Sequence, residues 1–324
     1  MKNKISLIVT ILNEAQNIEL LLSSMMMQSR KPDEVVIVDG GSKDRTTELI
    51  KQYLQLGNLN KVKEVPSEAQ VKNGFVINNL GINFKILKKT GNRSIGRNFA
   101  IKNATHDLIA ITDAGCILDS KWIAELEKKI EKADVVAGYY NSDPIGPFEE
   151  AVVPYVLVMP DRVDSKTFLP ATRSMMIRRD IFDELGGFDK KLSDNEDYAL
   201  AQKMKKSKVR VVFARKALVT WIPRSDLRSF YIMIMRFARG DIKAGIVRPK
   251  VITIFLRYFV FVLFGLFALP VGLLIILSYL LWSIVKNKKY VKRGWYYLPL
   301  LQVTSDLAVM WGSAQALLIN FIGK

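Results

Sequence analysis

The chain has 324 residues, a formal net charge of +17, one cysteine (Cys116) and one histidine (His106). A single cysteine excludes an internal disulfide and a cysteine-cluster zinc site, and a single histidine excludes a multi-histidine metal centre. Any divalent ion must therefore sit on oxygen ligands, which points to magnesium or manganese.

Residues 6–10, Ser-Leu-Ile-Val-Thr, form a short apolar, β-branched run of the kind buried in a parallel sheet. The run stops at Asn13-Glu14, and a helical pattern follows through Leu20, Leu21 and Leu22. Residues 35–38 make a second strand, ending in Asp39-Gly40-Gly41-Ser42. Residues 46–56 read as a surface helix, 58–83 as irregular, 84–87 as a short strand and 94–103 as a helix. A third strong strand spans 107–112 and ends in Asp113-Ala114-Gly115, so a carboxylate again closes an apolar strand. A helix over 122–132 and a strand over 135–140 complete an alternation that implies a mostly parallel sheet flanked by helices.

Beyond this point the pattern changes. Residues 141–170 carry five prolines and no clear period, which predicts a long loop or lid. Residues 179–185 read as a helix closed by Gly186-Gly187, and 198–206 as another with Glu196-Asp197 at its start. Short strands are expected at 209–213 and 218–221. Residues 227–245 set aromatics and methionines against Arg228, Arg236, Arg239 and Lys243, the pattern of an amphipathic helix suited to a membrane surface.

Between Lys203 and Arg257 there are 15 Lys and Arg against 2 acids, directly before the most apolar part of the chain. That position favours an anionic lipid surface, and not nucleic acid, as the partner. Residues 251–285 are too long for one pass and are divided near Pro270, so a hairpin or re-entrant pair is expected. Basic flanks on both sides place both ends in the cytoplasm. A third apolar segment, 298–322, is interrupted by Gln302, Ser305, Asp306 and Gln315. No signal peptide is expected, and the lone cysteine fits a cytosol-facing location.

Strand, helix, strand, then an acid and a glycine turn describe a nucleotide cradle at the C-terminal edge of a parallel sheet. Asp39 can accept hydrogen bonds from a base or ribose, and the glycines let backbone approach the ligand. Taken singly, these residues have plainer readings. Asp39 would cap its turn, Glu196-Asp197 would steady a helix N-terminus, Arg97 would be a helix-surface charge and Cys116 a packed small hydrophobe.

Taken together, the blocks resemble family 2 glycosyltransferases, inverting enzymes of the GT-A fold. The likeness covers roughly residues 5–245. Its opening block is residues 7–14 with 35–46. Arg97-Asn98 with Ile111-Thr112-Asp113-Ala114-Gly115 forms the second, and Gly186-Gly187-Phe188-Asp189 with Asn195-Glu196-Asp197 the third. The resemblance implies that Asp39 binds the base, that Thr10 and Glu14 line the same pocket, and that Arg97 contacts the nucleotide. It also implies that Asp113 touches the ribose and the metal, and that Asp197, with Glu196 beside it, is the general base. Gly115 stands where the family's second metal-site acid would be, which leaves Asp113 as the one carboxylate for magnesium or manganese. Met233 and Phe237 replace residues of the processive synthases' motif around Arg236, which is expected to reach the diphosphate or acceptor. Single-sugar transfer is expected instead of polymerisation.

The expected architecture is a GT-A domain over 1–225, a juxtamembrane helix over 226–250 and a membrane region over 251–324 with about three apolar segments. The expected function is sugar transfer from a nucleotide-sugar, UDP ahead of GDP, to a lipid-linked or otherwise membrane-held acceptor. The protein would sit in the cell membrane as a multi-pass chain, with its catalytic domain on the cytoplasmic side and no nucleic-acid partner. A membrane scaffold that keeps the fold without turnover is the alternative. A nucleotidyltransferase ranks last, because residues 10–18 contain neither Gly nor Lys for a phosphate loop.

Overall fold

The computed structural model describes residues 3–55, 62–64 and 74–322. The chain divides into two compact units, residues 1–141 with 163–221 and residues 142–162 with 222–324.

In chain order the first unit opens with β1 (Ile5–Ile11), α1 (Ile18–Met26), β2 (Glu34–Asp39) and α2 (Thr46–Gln55). Then come β3 (Val62–Glu64), β4 (Phe75–Asn79), β5 (Ile82–Lys88), α3 (Arg93–Asn103), β6 (Leu108–Ile111), β7 (Cys116–Leu118), α4 (Trp122–Ile130) and β8 (Val135–Ser142). The second unit takes α5 (Pro147–Val156). The chain then returns to the first unit for β9 (Met175–Arg178), α6 (Arg179–Glu184), α7 (Glu196–Lys206) and β10 (Val211–Trp221).

The strands form one mixed sheet in the order β3-β4-β5-β2-β1-β6-β9-β8-β10-β7. Its parallel part is the central β5-β2-β1-β6, of which β2, β1 and β6 are near-continuous runs buried on both faces. Register aligns Ile11 with Asp39 and Ile8 with Ile111, so the loops after β1, β2 and β6 open on the same edge. Antiparallel pairs flank this centre. Much of residues 58–73, expected to be irregular, lies outside the described residues. Residues 75–83, covered by the same expectation, are regular: β4 and β5 form a hairpin turning at Leu80-Gly81, both with positive φ (48° and 79°). That is the backbone a tight two-residue hairpin needs.

Helices cover the sheet with apolar stripes at helical spacing. Trp122, Ile123, Leu126 and Ile130 are the buried positions of α4, and Leu200, Ala201 and Met204 the apolar ones of α7. Asn92 caps α3 by accepting from the Ile95 amide at 3.0 Å. The two short strands expected at 209–213 and 218–221 are one continuous β10.

The second unit continues with α8 (Leu227–Lys243), α9 (Pro249–Phe267), α10 (Leu269–Asn287) and α11 (Leu298–Ile322). Residues 147–156, expected to be loop, are the helix α5. Pro147 sits in its first turn, where a missing N–H costs nothing, and Glu149 Oε2 accepts from the Ile145 and Gly146 amides at 2.7 and 3.2 Å. Helix α5 and the turn after it are strapped to the far end of the chain. Tyr155 donates to the Leu298 carbonyl at 2.8 Å, Glu150 accepts from Arg293 Nε at 3.0 Å, and Arg162 donates to the Lys286 carbonyl at 3.1 Å.

Helices α9 and α10 are long and apolar enough to cross a membrane, and the break between them falls at Ala268, next to the expected Pro270. Helix α9 exposes rows of Phe, Leu and Val, and α10 rows of Leu, Ile and Val. Helix α11 buries two of the expected polar interruptions: Gln302 Nε2 donates to Asp306 Oδ1 at 3.1 Å, and Tyr279 and Arg257 donate to Asp306 Oδ2. Helix α8 differs from expectation, because Phe230, Met233, Ile234, Ala238 and Ile242 are buried and α11 packs against it. Its apolar stripe is covered by protein and is not left for a lipid surface.

Candidate active site

The loops after β1 and β2 are stitched together by short polar side chains. Asn13, in the left-handed region at φ 55°, donates its amide to Ser42 Oγ at 2.9 Å and accepts from the Lys43 amide at 2.9 Å. The Glu14 amide donates to Thr46 Oγ1 at 2.8 Å and the Ala15 amide to Asp44 Oδ2 at 3.1 Å. Within this frame Asp39 is buried, and its Oδ1 accepts from the Gly41 amide, the Ser42 amide and the Ser42 hydroxyl at 3.2, 2.9 and 2.7 Å. One oxygen therefore caps the turn, as the plainer reading predicts. The other, Oδ2, takes no hydrogen bond from the described residues and is the acceptor left for a ligand. Thr10 and Glu14 are half-buried on the same sheet edge.

Along α3, a row of side chains fastens the Gly186-Gly187-Phe188-Asp189 loop. Asn98 exchanges two bonds with the Phe188 backbone at 2.7 and 3.0 Å, Ser94 donates to the Leu192 carbonyl at 2.7 Å, and Asn92 to the Lys190 carbonyl at 2.7 Å. Gly187 is at φ 65°, and a Cβ there would come within 2.9 Å of Asn98 Oδ1, so both backbone and space require glycine.

Arg97 lies at the centre. It is buried, donates through Nη2 to Asp113 Oδ1 at 2.6 Å, and donates through Nη1 to Glu196 Oε1. Its guanidinium stacks 5.6 Å from the Phe188 ring. Arg97 is thus no surface charge: it joins the strand-end acid after β6 to the first residue of α7. Burial opposes its charge, but Asp113, Glu196 and Asp197 hold it firmly protonated. Burial likewise works against the Asp113 carboxylate, yet Arg97, Arg173 and Arg93 outweigh it and keep the carboxyl below the usual range. Glu196 goes the other way, because burial and the neighbouring Asp197 push its carboxyl up against the pull of Arg97.

Asp197 is half-buried beside this knot. Its Oδ2 faces the Thr172 amide and hydroxyl, both at 3.4 Å, and its Oδ1 accepts from the Tyr198 amide at 2.8 Å. Thr172 and its neighbour Arg173 escape a reading of the sequence. They end a proline-rich stretch, and nothing in residue pattern announces that β9 turns back beside β6. Arg236 belongs to the second unit, on the exposed side of α8. Cys116 is buried, with its thiol pushed up to about 12 by burial, which makes it an inert packing residue.

Among the described residues no cluster of three or more His, Cys, Asp or Glu is placed to hold a metal. What the site offers is Asp113, whose Oδ1 is taken by Arg97 and whose Oδ2 has no hydrogen bond from the described residues. A Cβ on Gly115 would meet nothing within 4 Å, so the second acid's place is open space. One free carboxylate oxygen fits an ion such as magnesium, which keeps most of its shell for phosphate oxygens and water.

The central parallel strands carry Asp39 and Asp113 at their ends, and a buried arginine ties Asp113 to a helix-start acid pair, on an α/β scaffold. More specifically, residues 6–186 match Glycosyl transferase family 2, and the chain belongs to that family. The match ends before Asn195-Glu196-Asp197. One relative is the O-antigen chain rhamnosyltransferase RfbN of Salmonella typhimurium strain LT2, 24% identical over 257 residues and covering 70% of each chain. Among solved structures, mannosyltransferase PcManGT from Pyrobaculum calidifontis, in complex with GDP-Man and Mn2+, superposes with a TM-score of 0.59 at 18% identity, over 96% of this chain and 88% of that one. GalNAc-T7 with UDP, GalNAc and Mn2+ gives 0.51 at 15% identity, over 74% of this chain and 47% of that one. The fold is the GT-A fold expected from the sequence.

Proposed function

We propose that this chain transfers a sugar from a nucleoside-diphosphate sugar to a membrane-held acceptor by inverting displacement, with Asp197 as general base. The observation that carries the reading is the double ion pair of Arg97, which draws Asp113 and the Glu196-Asp197 pair into one constellation on a family 2 scaffold. In the reaction an acceptor hydroxyl attacks the anomeric carbon and gives its proton to the Asp197 carboxylate. The bond from that carbon to the β-phosphate oxygen breaks, and its electron pair leaves with the diphosphate. Asp39 Oδ2 accepts from the base, Thr10 and Glu14 line that pocket, and Arg97 and Glu196 fix the distance between donor and base. Asp113 Oδ2 would hold a magnesium or manganese ion, which when bound screens the diphosphate charge. Both solved relatives carry Mn2+.

The membrane-held acceptor is supported by helices α9 and α10 and by a relative that builds O-antigen chains. We read α9 and α10 as a hairpin with both ends in the cytoplasm and Arg236 of α8 as a contact to the acceptor or diphosphate. A UDP-sugar is the first donor to try. The solved relatives hold GDP-Man in one case and UDP with GalNAc in the other, so a panel is needed. Gly115, in the second acid's position, favours one competing reading, a scaffold without turnover.

The test is nucleotide release by the full chain in detergent, with manganese or magnesium, a panel of nucleotide-sugars and native lipid extract. Metal-dependent release of one nucleotide with a labelled lipid, lost in Asp197→Asn, is expected. Nucleotide binding without release from any donor would favour the scaffold.

A further inference from the structure

Arg173 is a half-buried cation with no acceptor: none of the described residues takes a hydrogen bond from its guanidinium. What surrounds it is aromatic, with the Tyr140 ring at 5.5 Å and the Trp221 ring at 5.1 Å. Two ring faces hold the charge in place but leave the five N–H donors at the edge of its plane unused. A guanidinium in that state is costly unless an anion or water meets it.

Its direction is fixed by what lies on either side. Thr172 and Ser174 are fully buried, and Thr112 Oγ1 donates to the Arg173 carbonyl at 3.0 Å. Ser174 Oγ accepts from Trp122 Nε1 at 2.8 Å and donates to the Ala217 carbonyl at 3.1 Å, filling the space that a side chain at Gly138 would need. With its backbone pinned and both neighbours buried, the side chain of Arg173 is held between the Tyr140 and Trp221 rings. Its backbone lies beside the acids gathered around Arg97: Thr112, the neighbour of Asp113, holds the Arg173 carbonyl, and Thr172 faces Asp197 Oδ2 at 3.4 Å.

The geometry points to Arg173 as the cation that receives the diphosphate of the departing nucleotide, an inference that rests on the proposed transferase activity. As the anomeric bond breaks, charge accumulates on the β-phosphate oxygens. A planar fork of donors meets two such oxygens at once, where a lysine would meet one. Gly115 stands in the place of a second acid, and Arg173 supplies fixed positive charge near Asp113 that needs no ion. The two rings keep the guanidinium oriented before the nucleotide arrives, so that little reorganisation accompanies the step.

The test measures binding and turnover separately, on the full chain in detergent. Nucleoside di- and monophosphates, UDP against UMP and GDP against GMP, are titrated into the wild type, Arg173→Gln and Arg173→Lys. The wild type is expected to prefer the diphosphate, and Arg173→Gln to lose about ten- to a hundredfold of that preference while binding the monophosphate as before. Arg173→Lys should recover part of the loss, and it carries the test if the glutamine variant fails to fold. An unchanged ratio of diphosphate to monophosphate affinity in Arg173→Gln would overturn the assignment, as would an equal loss for both. If the ratio falls but the wild type turns over no donor, the assignment to Arg173 stands and the transferase reading falls.

Discussion

Arg97 Nη2 and Asp113 Oδ1 lie 2.6 Å apart, and the same guanidinium also grips Glu196. One side chain from α3 thus fixes the spacing between the acid that ends β6 and the acids that begin α7. No helix–strand contact could set that spacing so tightly, because Asp113 and Glu196 are 83 residues apart in the chain.

Arg97→Met should therefore be strongly destabilising, since it leaves the buried Glu196 and the half-buried Asp113 with no cation between them. A loss of about 3–5 kcal/mol is expected. The pH dependence follows from the two carboxyls. Asp113, held low, contributes stability that is present above the ordinary carboxylate range and lost as pH falls through it. Glu196, held high, contributes in the opposite sense, fully at low pH and lost as pH rises through its raised pKa. Without Arg97 the Glu196 carboxyl rises further, so the variant's melting deficit should shrink between about pH 7.5 and about pH 5. A deficit that is constant across this window would disprove the assignment of Glu196.

Asp197→Asn keeps an oxygen for the Thr172 amide and hydroxyl but removes the proton acceptor. Turnover should fall by about 10²–10⁴-fold with nucleotide affinity unchanged. Steady-state kinetics beside a binding titration would check this, and weakened nucleotide binding would mean that Asp197 acts on the donor side.

Gly115→Asp restores a second acid in open space and is expected to fold normally. The manganese concentration that gives half-maximal turnover should drop severalfold. A metal titration showing no shift would indicate that the ion, if used, does not sit on Asp113.

Gly187→Ala forces a side chain into φ 65° and against Asn98 and Phe182. A cost of at least about 1–2 kcal/mol in thermal or denaturant unfolding is expected. Activity of the folded fraction should fall as well, because the displaced loop leads directly into Glu196 and Asp197.

The positions of Asp39 and Asp113 at strand ends could be read from the chain alone, and the reason is local. Strands β1, β2 and β6 are apolar runs that end in a polar turn, so Asp39 and Asp113 are marked by neighbours within a few residues. What could not be read depends on distant partners. Strand β9 lies antiparallel to β6, a choice that Met175–Arg178 does not betray, and Thr172 and Arg173 were lost with it. Arg97 carries the same charge whether it faces water or two acids. The prolines of 141–170 suggested a break where Pro147 starts a helix, and the stripe on α8 suggested a bilayer where α11 supplies the cover.

The chain leaves its first unit after residue 141, returns at 163 and leaves again after 221. A cut at 225, where the sequence reading ends the GT-A domain, would strip helix α5 and the turn after it of Leu298, Arg293 and Lys286 while leaving them tethered in the middle of the remaining polypeptide. The orphaned helix would leave its apolar face uncovered, so truncation at 225 is expected to promote clumping. On the proposed reading of α9 and α10 as membrane-crossing helices, detergent or a lipid disc is part of what it takes to handle this protein intact.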